Sequence, residues 1–293
     1  VHRAFDGEHL DGKRVLFIIP DSTRSMPMPS MFRALHDTLH TRVAKMDYLI
    51  ALGTHPPMPE DAINKMLGVT AEERAGVYRD IGIFNHDWKN PAMLAHIGDL
   101  SEDQLAEISV GLLRETVPVT INKRVLDYDL ACIVGPVFPH EVVGFSGGNK
   151  YFFPGIAGEE LLNVFHWLGA LITNPIINGA KYTPVRAVVN AAASLIKIEN
   201  RCFCLNVMGK NCHGIFYGSP EEAWSAAADL SAKTHIVYKE KPFKSVLAMA
   251  PEMYDEIWVA GKCMYKLEPV VADGGELIIY GPHIKEVSVT HGD

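Results

Sequence analysis

The fold is decided by the run Arg-Val-Leu-Phe-Ile-Ile at residues 14–19, which ends at Pro20 and is followed by Asp-Ser-Thr-Arg at residues 21–24. A short run rich in large apolar and β-branched side chains is typical of a strand buried on both faces of a parallel sheet. A polar segment directly after such a strand lies at the sheet edge where α/β proteins bind ligands. The run therefore predicts an α/β fold with a functional site that begins at Asp21.

The residues that follow repeat this order of strand and helix. Apolar side chains recur at helical spacing over residues 30–44, and residues 48–52 form a second apolar run that leads into Gly53-Thr54-His55. Residues 59–67 have the pattern of another helix. This order predicts a doubly wound, mostly parallel sheet.

The middle of the chain continues the same architecture. Residues 130–135 are predicted to form a third buried strand, with His140 just beyond it and a loop of small residues at 144–150. Three further helices are predicted, one from just after Pro154 to residue 172, one at residues 187–195 and one at residues 221–232. A further strand is predicted at residues 202–207.

A charged stretch that contains Pro242 marks a domain boundary near residue 240. We predict an N-terminal α/β domain over residues 1–240 and the start of a second, smaller α/β domain over residues 241–293. Strands are predicted in the second domain at residues 245–249, 256–260 and 276–280. Because little helix is available to cover these strands, we expect the second domain to be incomplete in this chain.

The composition excludes several classes of protein. The 293 residues carry a formal net charge of -8, and no basic stripe interleaved with aromatic residues is present, so neither nucleic acid nor an anionic membrane is expected as a partner. No apolar run is long enough to span a bilayer. The five cysteines lack a regular framework, which favours free thiols and a cytoplasmic location.

Three polar clusters follow predicted strands, and we expect them to converge at one sheet edge. The glycines of residues 146–150 allow close approach to an anion, and Lys150 adds a positive charge or a nucleophilic amine. Residues 21–24 suit a phosphate or carboxylate, although a helix cap explains them equally well. His55 and His140 can exchange protons near neutral pH, and His166 is a partly buried helical histidine that could bind a metal.

The spacing of His140, Lys150 and His166 resembles that of the nickel-dependent lactate racemase family. The longest and most specific match covers Gly-Phe-Ser-Gly-Gly-Asn-Lys-Tyr-Phe-Phe-Pro-Gly-Ile-Ala-Gly at residues 144–158. Residues 21–24 and 53–55 are also similar to the family, and a weaker resemblance extends over nearly the whole chain.

The resemblance implies a cofactor, the nickel-pincer nucleotide, which is a nicotinate-derived mononucleotide that carries nickel. Lys150 would be joined to it through a thioamide, and His166 would be the protein ligand to nickel. The cofactor's nucleotide would contact residues at two loops, namely Asp21, Ser22, Thr23, Arg24, Ser146, Gly147 and Gly148. Where the cofactor-building enzymes, which are expected as transient partners, are absent, the protein would lack this group.

The resemblance also implies a reaction, the racemisation or epimerisation of a small 2-hydroxy acid at C2. His55 and His140 would serve as two bases that face the substrate from opposite sides, while the cofactor carries the C2 hydrogen as hydride. The carboxylate would be bound by Arg24 or by a lysine of the second domain, for which Lys266 is preferred over Lys262. Pro56 stands where many relatives have an arginine, and no tyrosine–glutamine pair precedes the lysine, so the particular acid stays open.

Two other functions are compatible with the same residues. One is a metal-independent α/β enzyme that uses Lys150 as a Schiff base or phosphate anchor. The other is a protein that binds a nucleotide or an organic acid through the loop at residues 146–150 and has no catalytic activity. The presence of His55, His140 and His166 together favours the racemase, since a binding protein needs neither two bases nor a metal ligand.

Overall fold

The computed structural model describes residues 1–288 and is built from twelve strands and nine helices in that range. The strands are β1 (Arg14–Ile19), β2 (Lys45–Ile50), β3 (Ile83–Asn85), β4 (Leu94–Leu100), β5 (Val117–Asn122), β6 (Leu130–Pro136), β7 (Pro139–His140), β8 (Gly144–Phe145), β9 (Glu199–Met208), β10 (Asn211–Gly218), β11 (Phe243–Met249) and β12 (Val271–Tyr280). The helices are α1 (Met28–Leu39), α2 (Glu60–Leu67), α3 (Ala71–Ala75), α4 (Glu102–Ile108), α5 (Glu159–Ile172), α6 (Asn174–Ile177), α7 (Pro184–Ala193), α8 (Pro220–Thr234) and α9 (Ile257–Leu267).

Six strands form the central sheet, in the order β10-β9-β6-β1-β2-β3. All neighbours are parallel except β9 and β10, which are antiparallel. The chain winds from β1 through β2 to β3 in one direction, and β6, β9 and β10 lie on the other side of β1. The predicted doubly wound, mostly parallel α/β sheet is thus confirmed, and its winding changes direction between β1 and β6.

The strand β1 lies at the centre of the sheet because both of its faces are apolar. Val15, Phe17 and Ile19 belong to the core on one side of the sheet, whereas Leu16 and Ile18 belong to the core on the other. All five side chains are completely buried. A strand covered on both faces has no polar alternation, which is why the sequence identifies β1 without ambiguity.

Most predicted elements are confirmed, with shifts of a few residues at their ends. The strand predicted at residues 48–52 begins at Lys45, and the helix predicted at residues 30–44 ends at Leu39. Short strands β3, β4 and β5 and the antiparallel strand β10 have no counterpart in the prediction. None of the helices in residues 1–288 is long and apolar enough to cross a membrane.

The last part of the described chain forms a small α/β unit in which β11 and β12 pair in parallel and α9 packs on them. The strand predicted at residues 256–260 is wrong, because these residues begin α9. Ala260 and Cys263, three residues apart, are the buried side chains of this helix, which is the spacing of a helix face. The unit contacts the main sheet domain where the Asn174 and Asn178 amides donate to the Tyr265 carbonyl over 2.7 and 3.1 Å. The division into residues 1–240 and 241–293 stays a prediction.

Candidate active site

The loops after β1, β2 and β6 meet at one edge of the central sheet. The Arg24 guanidinium, after β1, lies 5.9 Å from the centroid of the Phe138 ring, after β6. The Gly53 amide, after β2, donates a 2.9 Å hydrogen bond to the Gly155 carbonyl. Since the winding changes direction between β1 and β6, these loops lie where doubly wound folds bind ligands, and we call this edge the crevice.

His55 and Asp21 form a hydrogen-bonded pair at this edge. The Nδ1 of His55 donates to the Oδ2 of Asp21 over 2.5 Å, and the Oδ1 of the same carboxylate accepts bonds from the Thr23 hydroxyl and amide. Burial acts to raise the pKa of Asp21, but the hydrogen bonds from His55 and Thr23 outweigh it, so the pKa is lowered. The ionised Asp21 therefore fixes the proton of His55 on Nδ1 and leaves Nε2 free to accept a proton.

The other residues of the first polar cluster face outward. Ser22 and Thr23 are exposed, and the Arg24 Nη1 donates to the Thr23 hydroxyl over 2.8 Å. Asp21 is the buried member of the cluster and is used within the protein by His55. Ser22 and Arg24 thus remain available for a phosphate or carboxylate, whereas the Thr23 hydroxyl is bound to Asp21 and Asp21 acts on a histidine.

His140 lies on β7, and its ring is held differently from that of His55. The Val142 amide donates to the His140 Nδ1 over 3.1 Å, so the neutral ring carries its proton on Nε2. Burial lowers the pKa of His140 well below its ordinary value. The Glu141 carboxylate opposes this shift, while the nearby charges of Lys150 and Arg24 add to it.

The glycines after β8 allow the loop to pack closely against the protein interior. Gly147 and Gly148 adopt positive φ angles of +81° and +58°. A Cβ atom on Gly147 would lie 2.6 Å from the Cγ2 of Val137, and one on Gly148 would lie 2.8 Å from the Cβ of Trp224. Both the backbone conformation and the close approach require glycine here.

The Ser146 side chain is turned into the protein as well. Its hydroxyl accepts a 3.0 Å bond from the Phe138 amide and donates a 3.2 Å bond to the Pro136 carbonyl. Ser146 is buried. In this structure its hydroxyl therefore joins the loop to the end of β6, and its contact with a cofactor stays a prediction.

Two side chains that no sequence motif indicates hold the loop at residues 145–147. They are Arg186 of α7 and Trp224 of α8. The Arg186 guanidinium donates to the carbonyls of Phe145 and Gly147, and the Trp224 indole N–H donates to the Ser146 carbonyl over 2.9 Å. The guanidinium lies 4.2 Å from the centroid of the Trp224 ring. Three consecutive carbonyls are thus bound from the helix side, so the position of the loop is fixed. The sequence carries no motif at either residue that could have revealed this.

Lys150 follows the loop and is the residue with the most unusual charge environment. Its ammonium lies 5.7 Å from the centroid of the Phe165 ring, and no hydrogen bond or ion pair to it is present within residues 1–288. Burial, assisted by the charge of Arg24, lowers the pKa of Lys150 to about 7. An amine with this pKa is largely neutral and nucleophilic near physiological pH.

We expect the cofactor-free protein to react with an amine-selective acylating reagent first at Lys150. At pH 7 the neutral fraction of an amine with pKa about 7 exceeds that of an ordinary lysine about 10³-fold. Lowering the pH from 8 to 6 protonates the amine and should slow its labelling about tenfold. Peptide mapping after limited labelling measures both effects, and Lys150→Arg is the control. Uniform labelling of all lysines would contradict the pKa assigned to Lys150.

His166 lies on α5, one residue after Phe165, with its ring edge against the Phe165 ring. It is more exposed than the sequence predicts. Its Nδ1 donates to the Leu162 carbonyl over 2.9 Å, which leaves Nε2 free for a metal. Within residues 1–288 no group of three or more His, Cys, Asp or Glu side chains is placed to hold a metal ion. A metal at His166 would need most of its other ligands from a cofactor.

Two lysines of α9 were considered for the substrate, and the structure separates them. Burial lowers the pKa of Lys262, and the charges of Glu141 and Arg24 act on it from the loops after β6 and β1. Lys266 is exposed and donates to the Tyr254 hydroxyl over 3.2 Å. Lys262 is thus the lysine of α9 on which charges of the crevice act, and the preference for Lys266 as the substrate-binding lysine stays a prediction.

The family of the chain follows from comparison with known proteins. The family model described as "Lactate racemase N-terminal domain" matches residues 4–176, which is more than half of the chain. The chain therefore belongs to the lactate racemase N-terminal domain family.

Individual relatives agree with this assignment. A lactate racemase from Thermoanaerobacterium thermosaccharolyticum is 26% identical over 289 residues, which cover 91% of this chain and 59% of the relative. A lactate racemase from Lactiplantibacillus plantarum is 26% identical over 224 residues, which cover 73% of this chain and 47% of the relative. This chain thus spans about half to three-fifths of the length of these relatives.

Solved structures share the fold. A crystal structure of a protein from Thermotoga maritima superposes with a TM-score of 0.83 at 32% identity and covers 96% of this chain and 70% of that one. The structure of the lactate racemase apoprotein from Thermoanaerobacterium thermosaccharolyticum superposes with a TM-score of 0.73 at 21% identity, covering 92% and 61%. The fold of the described residues is therefore that of a lactate racemase.

Proposed function

We propose that this protein is a racemase or epimerase that inverts the C2 centre of a small 2-hydroxy acid. The observation that carries the proposal is the environment of Lys150, whose amine has no hydrogen-bonded acidic partner within residues 1–288 and whose charge acts on His140 and His166. Membership of the lactate racemase N-terminal domain family supports an isomerase over the other two functions considered. The relatives' names identify lactate as their substrate. For this chain we propose only the class of substrate, a small 2-hydroxy acid.

The residues present fit the nickel-pincer nucleotide as the cofactor. A neutral, nucleophilic Lys150 suits covalent attachment, and a free Nε2 on His166 suits a nickel ligand. Ser22 and Arg24 are exposed or half-buried donors that suit a phosphate. The chemistry that this cofactor would supply when bound is reversible hydride transfer at C2 of the substrate.

The two histidines move the hydroxyl proton of the substrate. The Nε2 of His55 is set by Asp21 to accept this proton from one enantiomer. His140, once protonated, would return a proton to the carbonyl oxygen of the planar 2-keto acid, whose C2 is reduced from the opposite face. Each histidine is the base in one direction and the acid in the other, so the protein needs both for inversion.

The substrate carboxylate needs a cation that faces the crevice, and we assign this role to Lys262. Its ammonium lies within the field of Glu141 and Arg24, and it comes from α9, which lies outside the central sheet domain. Arg24 is then left to the cofactor phosphate, where a planar guanidinium binds well. Binding of the acid would thus involve both the main sheet and the small α/β unit.

We expect the protein to carry one covalent adduct and one nickel ion per chain when it is produced together with the cofactor-building enzymes. Intact-mass analysis measures the adduct, peptide mapping locates it, and elemental analysis measures the nickel. In Lys150→Arg the adduct should be absent, because a guanidinium cannot form the thioamide. Without the cofactor-building enzymes, the protein should be unmodified and inactive.

The matched control is Lys266→Arg, which makes the same substitution on an exposed side chain of α9 and should load normally. A wild-type protein without adduct and without nickel under these conditions would contradict the proposed function. Loss of optical purity in a panel of single-enantiomer 2-hydroxy acids then identifies the substrate.

A further inference from the structure

Glu141 is a charged residue of the crevice that the proposed reaction does not use. Its carboxylate is partly buried, with about a fifth of the side chain exposed, and its Oε2 lies 3.7 Å from the Nδ1 of His140. Burial acts to raise the pKa of Glu141, but the charges of His140 and Lys262 help to lower it to about 2. A partly buried carboxylate is costly unless nearby charges offset it, and here Lys262 and Lys150 supply them.

The Nδ1 of His140 has two neighbouring groups that cannot both form a hydrogen bond with it at the same time. The Val142 amide, 3.1 Å away, must donate a hydrogen bond and therefore needs an unprotonated Nδ1. The Glu141 carboxylate can only accept a bond and therefore needs a protonated Nδ1. A ring held by Val142 has its proton on Nε2 and offers no lone pair there. Its Nε2 can donate a hydrogen bond to a substrate but cannot accept a proton.

We propose that Glu141 is a positioning residue that switches His140 into its base form by accepting the Nδ1 proton in place of the Val142 contact. The switch requires the Nδ1–Oε2 distance to shorten by about 1 Å, to the length of a charge-assisted hydrogen bond. The proton balance is simple: the neutral ring moves its proton from Nε2 to Nδ1, and Nε2 then takes the hydroxyl proton of the substrate. The inference deepens the proposed function and rests on it for the identity of that substrate.

The arrangement would give each histidine a carboxylate on Nδ1. At His55 the bond to Asp21 is already formed at 2.5 Å, whereas at His140 the carboxylate stands one short movement away. The two histidines therefore begin a cycle in different states, His55 as a base and His140 as a hydrogen-bond donor. The groups that act on His140 besides Glu141 are Arg24, Lys262 and, in its protonated form, Lys150, and their charges disfavour the protonated ring.

The test is nitrogen NMR of the cofactor-free protein labelled with ¹⁵N-histidine, with the His140 signals assigned by comparison with His140→Gln. In the wild-type protein the Nε2–H form should dominate at high pH, and acidification should protonate Nδ1. In Glu141→Gln the midpoint of this protonation should fall by about 1 pH unit or more, because the opposing carboxylate is lost. Glu141→Asp should restore part of the difference.

Glu115→Gln is the matched control, because it removes the same charge from an exposed side chain outside the crevice. An equal midpoint in Glu141→Gln and Glu115→Gln would overturn the inference, as would a wild-type ring with its proton on Nδ1 at high pH. Because the measurement uses protein without cofactor, it is independent of the loading experiment. A failure to load refutes the proposed function and leaves the result on Glu141 standing.

Discussion

His55→Ala and His140→Ala are each expected to reduce racemisation by about 10²–10⁴-fold, the usual contribution of a positioned acid or base. His55 follows β2, and His140 lies on β7. Each histidine would accept the hydroxyl proton of a different enantiomer, so neither can replace the other. Inversion needs one proton removed and one returned, and loss of either histidine stops the cycle. The measurement is the rate of loss of optical purity from each pure enantiomer, with nickel content and adduct mass as controls for loading.

The forward and reverse kcat/KM values are tied to each other by the equilibrium constant, so both must fall by the same factor in each variant. Asp21→Asn should approach the effect of His55→Ala, since an amide donor cannot hold the proton on the Nδ1 of His55. His96→Ala is the control, because His96 is an exposed histidine bound to Asp99 and far in sequence from every loop of the crevice. Normal turnover in a fully loaded His55→Ala or His140→Ala protein would refute the paired-base role.

Much of the fold could be predicted because the parallel strands are buried on both faces. Residues 14–19 and 130–135 are continuous apolar runs, and such runs have few alternative structures. Once the strands are placed, the topology determines that the polar segments after them lie at one edge. This is why residues far apart in sequence, such as Arg24 and Phe138, could be expected to be close.

Other features depend on contacts that leave no local pattern. The helix α9 was taken for a strand because the five residues 256–260 are too short a window to separate the two periodicities. The Asp21–His55 hydrogen bond joins two separate loops, and Asp21 had been assigned to a cofactor instead. Arg186 and Glu141 are ordinary residues in the sequence, and only burial and neighbouring groups reveal what they do. The sequence therefore predicted which loops meet at the sheet edge but not the contacts by which the protein holds them.

Lys262→Met is expected to reduce kcat/KM for the 2-hydroxy acid by about 10²–10³-fold, mainly through a higher KM. Losing one partner of a buried charge pair costs about 2–5 kcal/mol, and each 1.4 kcal/mol is about tenfold in affinity. Methionine keeps the length and the apolar stem of the lysine, so α9 should stay packed through Ala260 and Cys263. Adduct mass and nickel content should be unchanged, because Lys150 and His166, the residues proposed to hold the cofactor, lie outside α9.

Lys266→Met is the paired variant, since it removes the same charge four residues later on the same helix. Lys266 is exposed and its ammonium is bound to the Tyr254 hydroxyl, so kcat/KM should change less than about twofold. The comparison of the two variants decides which lysine meets the carboxylate, because they share the helix, the substitution and the change in net charge. A large loss in Lys266→Met with a normal Lys262→Met would reverse the assignment and return the role to the lysine that the sequence favoured. Equal small effects in both would move carboxylate binding to Arg24, the remaining cation of the crevice that is not assigned to covalent attachment.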